Sequence, residues 1–406
     1  MSANLSPLGI DHKKRRDPLR ISLWRFTATC ILLALLVLAA IFSFSMLRAA
    51  SIVYWLSPSR RPIIVRAYSK VFKHQPVVTN FEIVGRNGRL PIRMFTPQHV
   101  YNASTLVLVH GFAPGGNNEL GLNAIAWSLC ELGLRVVVPN IESERMLRMS
   151  ETAVEDVDDV VRWSALTSGQ QVSLFGISYS GGMVITAAAI PEFADYVKMI
   201  FCVSGYNSID RLGRYYLHDD VRDPASQPYG KLAPKGLLAP MALQYSDELV
   251  PANDVKALSE PLRLIAHGAS PAEVAEAQPL TREQRDLLDD LLSVKTEEMR
   301  THYHALMERH RAELAAISPM GKFNKVHGSL YVLNGYLDPV IPRGEAEWTR
   351  QETLHKSNVR VLITPAMHHA LLEVHAPYWE KLRVAYFVSQ MLDTALWPSP
   401  LPTPKR

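Results

Sequence analysis

Val172-Ser173-Leu174-Phe175-Gly176-Ile177-Ser178-Tyr179-Ser180-Gly181-Gly182 decides how this 406-residue chain is read. The first half is a short apolar run of the kind that forms a buried strand, and small residues follow as they would at a helix start. A strand that breaks sharply into a helix lifts the serine at the break out of the sheet and presents it as a nucleophile. The pattern for such a turn is G-x-S-x-G. Here Ser180 stands where the second glycine belongs. That substitution also opens a second register, in which Ser178 and Gly182 flank Ser180. Ser178 directly follows the apolar strand and is the better placed nucleophile; Ser180 is the alternate.

Outward from this stretch, strand and helix patterns alternate. Residues 81–84 and 90–95 flank Arg86-Asn87-Gly88, where Asn-Gly signals a tight hairpin turn. Pro91 suits an edge position, because it has no N–H to give to a ladder. Residues 105–109 and 134–138 are apolar enough for strands covered on both faces. Residues 118–132 and 154–166 have helical periodicity, the latter with Asp156, Asp158 and Asp159 on its wet side. Residues 182–190 read as a small-residue helix and 199–203 as the next strand. Regularity then breaks until the strands at 330–333 and 359–363. Residues 281–315 read as a long helical stretch, and residues 377–396 as a last helix. Such alternation implies a mostly parallel sheet with helices on both faces. The irregular segment is too long for a loop and reads as a helical insertion over the sheet's carboxyl edge.

Four elements share that edge: His110-Gly111-Phe112, Gly176-Ile177-Ser178, Gly335-Tyr336-Leu337-Asp338 and Met367-His368-His369. Each follows a predicted strand, and the order is serine, aspartate, histidine. Over residues 80–396 the chain resembles the α/β-hydrolase superfamily. The resemblance implies an α/β-hydrolase fold with a helical cap, and a triad of Ser178, Asp338 and His369. Ser178 would be activated by the histidine, which the aspartate holds in one tautomer. By the same resemblance, the backbone amides of Phe112 and Tyr179 form the oxyanion hole. Alternates are Ser180 for the nucleophile, His368 for the base and Asp210 for the acid. His368 occupies the place of the small residue that usually precedes the base. The implied activity is cleavage of a carboxylic ester, of a kind that includes lipid-like ones, through an acyl-serine. An acyltransferase using the same triad, or a non-catalytic binding protein on the same fold, are the alternatives.

The N-terminus adds an address. His12-Lys13-Lys14-Arg15-Arg16, with Arg20 and Arg25, precedes an uncharged run from 26 to 47, long enough to cross a bilayer as a helix. Its length favours a retained signal anchor over a cleaved signal peptide. Positive charge is denser before the run than after it, which keeps the N-terminus cytoplasmic and puts the hydrolase domain on the periplasmic or luminal side. The expected organisation is a basic segment (1–25), transmembrane anchor (26–47), juxtamembrane connector (48–79), core (80–206), cap (207–325), core again (326–396) and tail (397–406).

The formal net charge is only +4, with no basic stripe beyond the N-terminus, so nucleic acid is not an expected partner. An ester substrate and the membrane are. Cys30, Cys130 and Cys202 share no metal-like spacing and read as buried free thiols. His302, His304 and His310 lack zinc-binding spacing and read as solvated. No metal or organic cofactor is implied.

Overall fold

The structure is a computed structural model that describes residues 18–53, 63–229, 238–373 and 375–402. The basic cluster 12–16, the stretch 230–237 and the end of the tail lie outside the described residues. The chain divides into two compact units, Met1–Met46 and Leu47–Arg406.

In the first unit runs α1 (Pro18–Val53), whose final turns belong to the second. From Phe26 to Val53 it is the one helix among the described residues long and apolar enough to cross a membrane. Side chains all round it, Leu33 and Leu36 among them, stand more than half exposed. Cys30 is exposed on this helix, against the expectation of a buried thiol, whereas Cys130 and Cys202 are buried and free.

The second unit begins with the end of α1, where Ala49, Ile52 and Val53 are buried and Arg48 pairs with Asp393 at 3.6 Å. Next comes α2 (Ile63–Val71). Eight strands follow: β1 (Pro76–Gly85), β2 (Gly88–Pro97), β3 (Thr105–Val109), β4 (Arg135–Pro139), β5 (Val172–Ile177), β6 (Val197–Val203), β7 (Ser329–Gly335) and β8 (Val359–Thr364). They form one sheet in the order β1-β2-β4-β3-β5-β6-β7-β8. β2 is antiparallel to both its neighbours, and every other pairing is parallel. The mostly parallel sheet is therefore as expected. Pro91 is not at an edge, however, since β2 pairs on both sides. Its carbonyl accepts the Asn140 N–H at 2.9 Å, so its amide side faces the place where β4 has already ended.

Helices α3 (Leu120–Glu131), α4 (Glu142–Arg145), α5 (Glu151–Ser168) and α6 (Tyr179–Ala187) intervene among the strands. α5 and α6 cover the sheet face that carries Val107, Val109 and Leu174. The expected wet side of α5 is largely dry: Asp156 is 6% exposed and Asp158 1%. The β1–β2 turn folds over this helix. Asn87 donates to Asp156 at 3.1 Å, and Arg86 pairs with Asp159 at 3.0 Å.

Between β6 and β7 lie α7 (Ile209–Tyr216), α8 (Leu238–Gln244), α9 (Ser246–Leu249), α10 (Val255–Ala266), α11 (Pro271–Ala277), α12 (Arg282–Ser293), α13 (Glu297–Arg309) and α14 (Arg311–Ala316). The single helix expected over 281–315 is thus three. α12 stops where Val294 turns left-handed at φ 49°, and Thr296 starts α13 by accepting the Met299 N–H at 3.1 Å. Leu258, Leu262, Leu291 and Tyr303 from these helices belong to the same core as α5 and α6. After β7, α15 (Arg343–Glu352) precedes β8, and α16 (Tyr378–Leu396) closes the chain. α3 and α16 cover the other sheet face, where Phe201 meets Phe387 at 6.5 Å between ring centroids. This topology, with a left-handed serine between β5 and α6, is the α/β-hydrolase fold.

Candidate active site

The elbow forms because β5 ends against α6 with no room to spare. A Cβ on Gly176 would lie 2.3 Å from the Ser180 carbonyl oxygen, so only glycine fits. Ser178 sits at φ 61°, ψ −127°, and its N–H donates to Val203 O at 2.8 Å. A non-glycine residue held there is strained, and such strain concentrates at functional sites. Ser180 does something else. It is fully buried, accepts the Ile177 N–H at 2.9 Å, and has Val109 O at 2.9 Å to receive its proton. Its hydroxyl therefore ties the end of β5 to the end of β3.

The three residues expected to act together do meet. His369 Nε2 lies 2.8 Å from Ser178 Oγ, and His369 Nδ1 lies 3.0 Å from Asp338 Oδ2. Asp338 is fully buried after β7, and its Oδ1 also accepts the N–H groups of Val340 and Ile341, each at 2.9 Å. These bonds fix the carboxylate and compensate its burial. Tyr216 on α7 donates to Val340 O at 2.6 Å, which anchors the same turn from the inserted helices. The alternates lie apart. His368 turns away to pair with Glu373 at 2.9 Å, and Asp210 pairs with Arg214 along α7 at 3.1 Å.

The loop after β3 approaches Ser178 closely: a Cβ on Gly111 would stand 2.7 Å from Ile177 O and 3.4 Å from Ser178 Cβ. Buried His110 shapes that loop. Its Nε2 accepts the Ile141 N–H at 3.1 Å, so the proton must sit on Nδ1, which donates to Gly111 O at 2.8 Å. The Gly111 carbonyl and the Phe112 N–H share one trans peptide and point in opposite directions. Holding the carbonyl therefore aims the amide. The Tyr179 N–H is the first of α6 and has no intrahelical partner. The rings of Phe112 and Tyr179 stack at 4.2 Å between centroids. Burial lowers the His110 pKa and keeps the ring neutral; burial also raises that of Tyr179 well above its ordinary value.

Several supporting residues carry no sequence signal of their own. Ser204, left-handed at φ 49° just after β6, accepts the Ala370 N–H at 3.1 Å and so steadies the histidine loop. Glu345 is fully buried and takes the N–H groups of Asn207 and Ser208 at 2.8 Å, the Tyr229 hydroxyl at 2.8 Å and the Arg211 guanidinium at 2.8 Å. That network joins the start of the insertion to the helix after Asp338. Glu144 is buried with neither carboxylate oxygen hydrogen-bonded, and burial pushes its pKa well up. Of the other histidines, His304 pairs with Asp219 at 3.3 Å and His310 bridges Glu248 and Glu313 at 2.8 and 3.0 Å. His310 does so where α9, α13 and α14 meet and His304 faces the segment just after α7, in place of their expected solvated state, while His302 is exposed as expected. Among the described residues no group of three or more His, Cys, Asp or Glu is placed to hold a metal ion.

Strand order and site together define the class: this is a chain of the α/β-hydrolase fold with a serine, a histidine and an aspartate hydrogen-bonded in line at its carboxyl edge. No protein-family model matches it, and no curated protein does by sequence. Among solved structures it is similar to brefeldin A esterase, a bacterial homologue of human hormone-sensitive lipase, at 14% identity over 87% of this chain and 86% of that one, with a TM-score of 0.48. It is similar to the acylaminoacyl peptidase of Pyrococcus horikoshii at 13% identity over 83% of this chain and 44% of that one, TM-score 0.47. A hyperthermophilic esterase from the archaeon Pyrobaculum calidifontis gives 14% identity over 82% and 90%, TM-score 0.42.

Proposed function

We propose that this protein is a membrane-anchored serine hydrolase that cleaves carboxylic esters through an acyl-enzyme on Ser178, with His369 as base and Asp338 as its orienting acid. The observation that carries this reading is the Ser178 Oγ–His369 Nε2 contact at 2.8 Å, backed by Asp338 at 3.0 Å. A serine hydroxyl is a weak nucleophile until a base within hydrogen-bond reach takes its proton.

The reaction follows from that geometry. Ser178 Oγ bonds to the ester carbonyl carbon as its proton passes to His369 Nε2, and negative charge gathers on the carbonyl oxygen. The Phe112 and Tyr179 amides receive that charge. Asp338 stabilises the imidazolium without taking its proton. The tetrahedral species collapses, the carbon–oxygen bond to the alcohol breaks, and the alcohol leaves with the proton from His369. Water then attacks the acyl-serine and gives His369 a proton. When the Ser178 Oγ–carbon bond breaks, the serine takes that proton back and a carboxylic acid departs.

The helical insertion 207–325 is read as the cap over this edge. The apolar helix Phe26–Val53 supports an anchor, with the N-terminus cytoplasmic and the catalytic unit on the far side, and an ester presented at a membrane suits that placement. An active-site phosphonate tests the assignment. Labelling is expected in the wild type and in Ser180→Ala, and lost in Ser178→Ala, whose ester turnover should fall by about 10⁴-fold or more. Folded wild-type protein that takes no label would overturn the reading.

A further inference from the structure

The catalytic residues follow strand ends; a pocket of about 500 Å³ lies at the other end of the same sheet, where β3 and β4 begin. Thr105 and Arg135 are the first residues of these two strands and pair across the ladder. Val137 follows two places after Arg135 and pairs with Met94 on β2, so these side chains share one face of the sheet. Helix α5 covers that face but stops at Ser168, where Gly169 turns left-handed at φ 66°. The space left under its last turns has an apolar wall of Phe81, Met94 and Trp163. The Phe81 and Trp163 rings stand 5.2 Å apart between centroids.

The polar part of the wall consists of donors without acceptors. Arg135 is partly buried, and its guanidinium makes no ion pair or hydrogen bond among the described residues. Thr105 and Ser164, both in the wall, are 1% and 2% exposed, and neither hydroxyl has a hydrogen-bond partner. Buried hydroxyls are ordinarily bonded, so two orphans in one wall call for a partner from outside the chain. No carboxylate of the described residues lines the pocket. We infer that it binds an amphipathic carboxylate, whose head pairs with Arg135 and whose apolar body lies against Phe81, Met94 and Trp163. An ionised carboxylate only accepts hydrogen bonds, and its two oxygens match two parallel N–H groups of a guanidinium. A few polar groups set in an otherwise apolar and aromatic wall are the usual make-up of a small-molecule site. Benzene fills a cavity of about 150 Å³, so about 500 Å³ admits a ligand of at most about twenty non-hydrogen atoms. A two-ring aryl carboxylate is of that size. A bare inorganic anion would leave the aromatic wall uncovered.

The probe is 4-benzoylbenzoate, a two-ring carboxylate used on the full-length protein in detergent. On irradiation its ketone takes a hydrogen atom from a neighbouring C–H and then bonds to that carbon, becoming a tertiary alcohol. Mass spectrometry of the digested protein should place saturable adducts on Met94 and on the peptide carrying Trp163. Excess 2-naphthoate should suppress them, and inorganic phosphate should not. Arg135→Met should raise the half-saturating concentration about tenfold or more, the loss expected for a charged hydrogen-bond partner. Thr96→Trp fills the pocket from β2 and should abolish the adducts, which keeps the test open should Arg135→Met not fold. Thermal melting certifies each variant as folded. Ser178→Ala should label as the wild type does, which separates this pocket from the catalytic edge. Absence of saturable adducts at the pocket in the wild type overturns the inference. So does a concentration dependence unmoved in folded Arg135→Met and Thr96→Trp. Suppression by phosphate would replace the carboxylate site with a general anion site.

Discussion

Two serines two positions apart differ in fate because the chain turns between them. Ser178 stands on the turn itself, exposed to His369, whereas Ser180 has entered the first turn of α6 and faces the strand ends. The G-x-S-x-G pattern tolerates a serine at its last place because the hydroxyl finds Ile177 N–H and Val109 O, so a polar group is buried without being orphaned. His110 is a positioning residue of the same economy. His110→Asn should lower kcat by about 10²–10³-fold with little change in KM, since the Phe112 amide is then no longer aimed. It should also change the pH response. The folded pKa of His110 lies below the ordinary 6.5, so the unfolded chain binds more protons and wild-type stability falls as pH drops below about 6.5. Thermal melts across pH should show a shallower acid slope in the variant; an identical slope would contradict a buried neutral ring.

At the scale of elements, α5 shows how tertiary cover rewrites a helix face. Asp156 and Asp159 lie one turn apart on one side, and a helix alone in water would keep that side wet. The β1–β2 turn closes over it, and Asp158, on another side of the helix, is buried with one oxygen unpaired and its pKa pushed up by burial to about 8. Here the sign runs opposite to His110. In the folded chain the carboxyl holds its proton while the unfolded one has lost it, so stability drains away as pH rises from the ordinary 3.8 toward 8. Asp158→Asn removes that drain. Its Tm advantage over wild type should widen by at least about 3 °C between pH 5 and pH 8; a constant difference would mean the carboxylate is ionised in place. Most strands were readable because parallel strands buried on both faces are nearly continuous apolar runs. Pro91 was misjudged because its position depends on where β4 ends, and the proline itself carries no trace of that. The breaks at Val294 and His310 were invisible for a similar reason. A left-handed valine is unfavourable locally and is held by its own N–H bond to Asp290 O at 2.7 Å and by Asp290 Oδ1 accepting the Thr296 N–H at 2.9 Å.

For the whole molecule, the proposed anchor and the proposed catalytic unit can be tested separately. A chain beginning at Leu47 should leave the membrane fraction on fractionation, whereas the full chain should resist carbonate extraction. Protease added outside intact cells or spheroplasts should digest residues beyond the span. Protection of that whole region would reverse the orientation drawn from the arginines and lysines of the N-terminus.

The sequence by itself determined the alternation of strand and helix, the apolar N-terminal run, and the order of serine, aspartate and histidine at strand ends. These are local properties, written in periodicity, in glycines where the backbone must bend, and in residue types that only such turns favour. Only the tertiary structure decided that Ser180 is a tie and that His368 and Asp210 face other partners. It also decided that Ser204 and Glu345 brace loops far away in the chain. Those outcomes depend on which groups come within three ångströms of each other after folding, and contacts between distant segments leave no periodic mark on the chain.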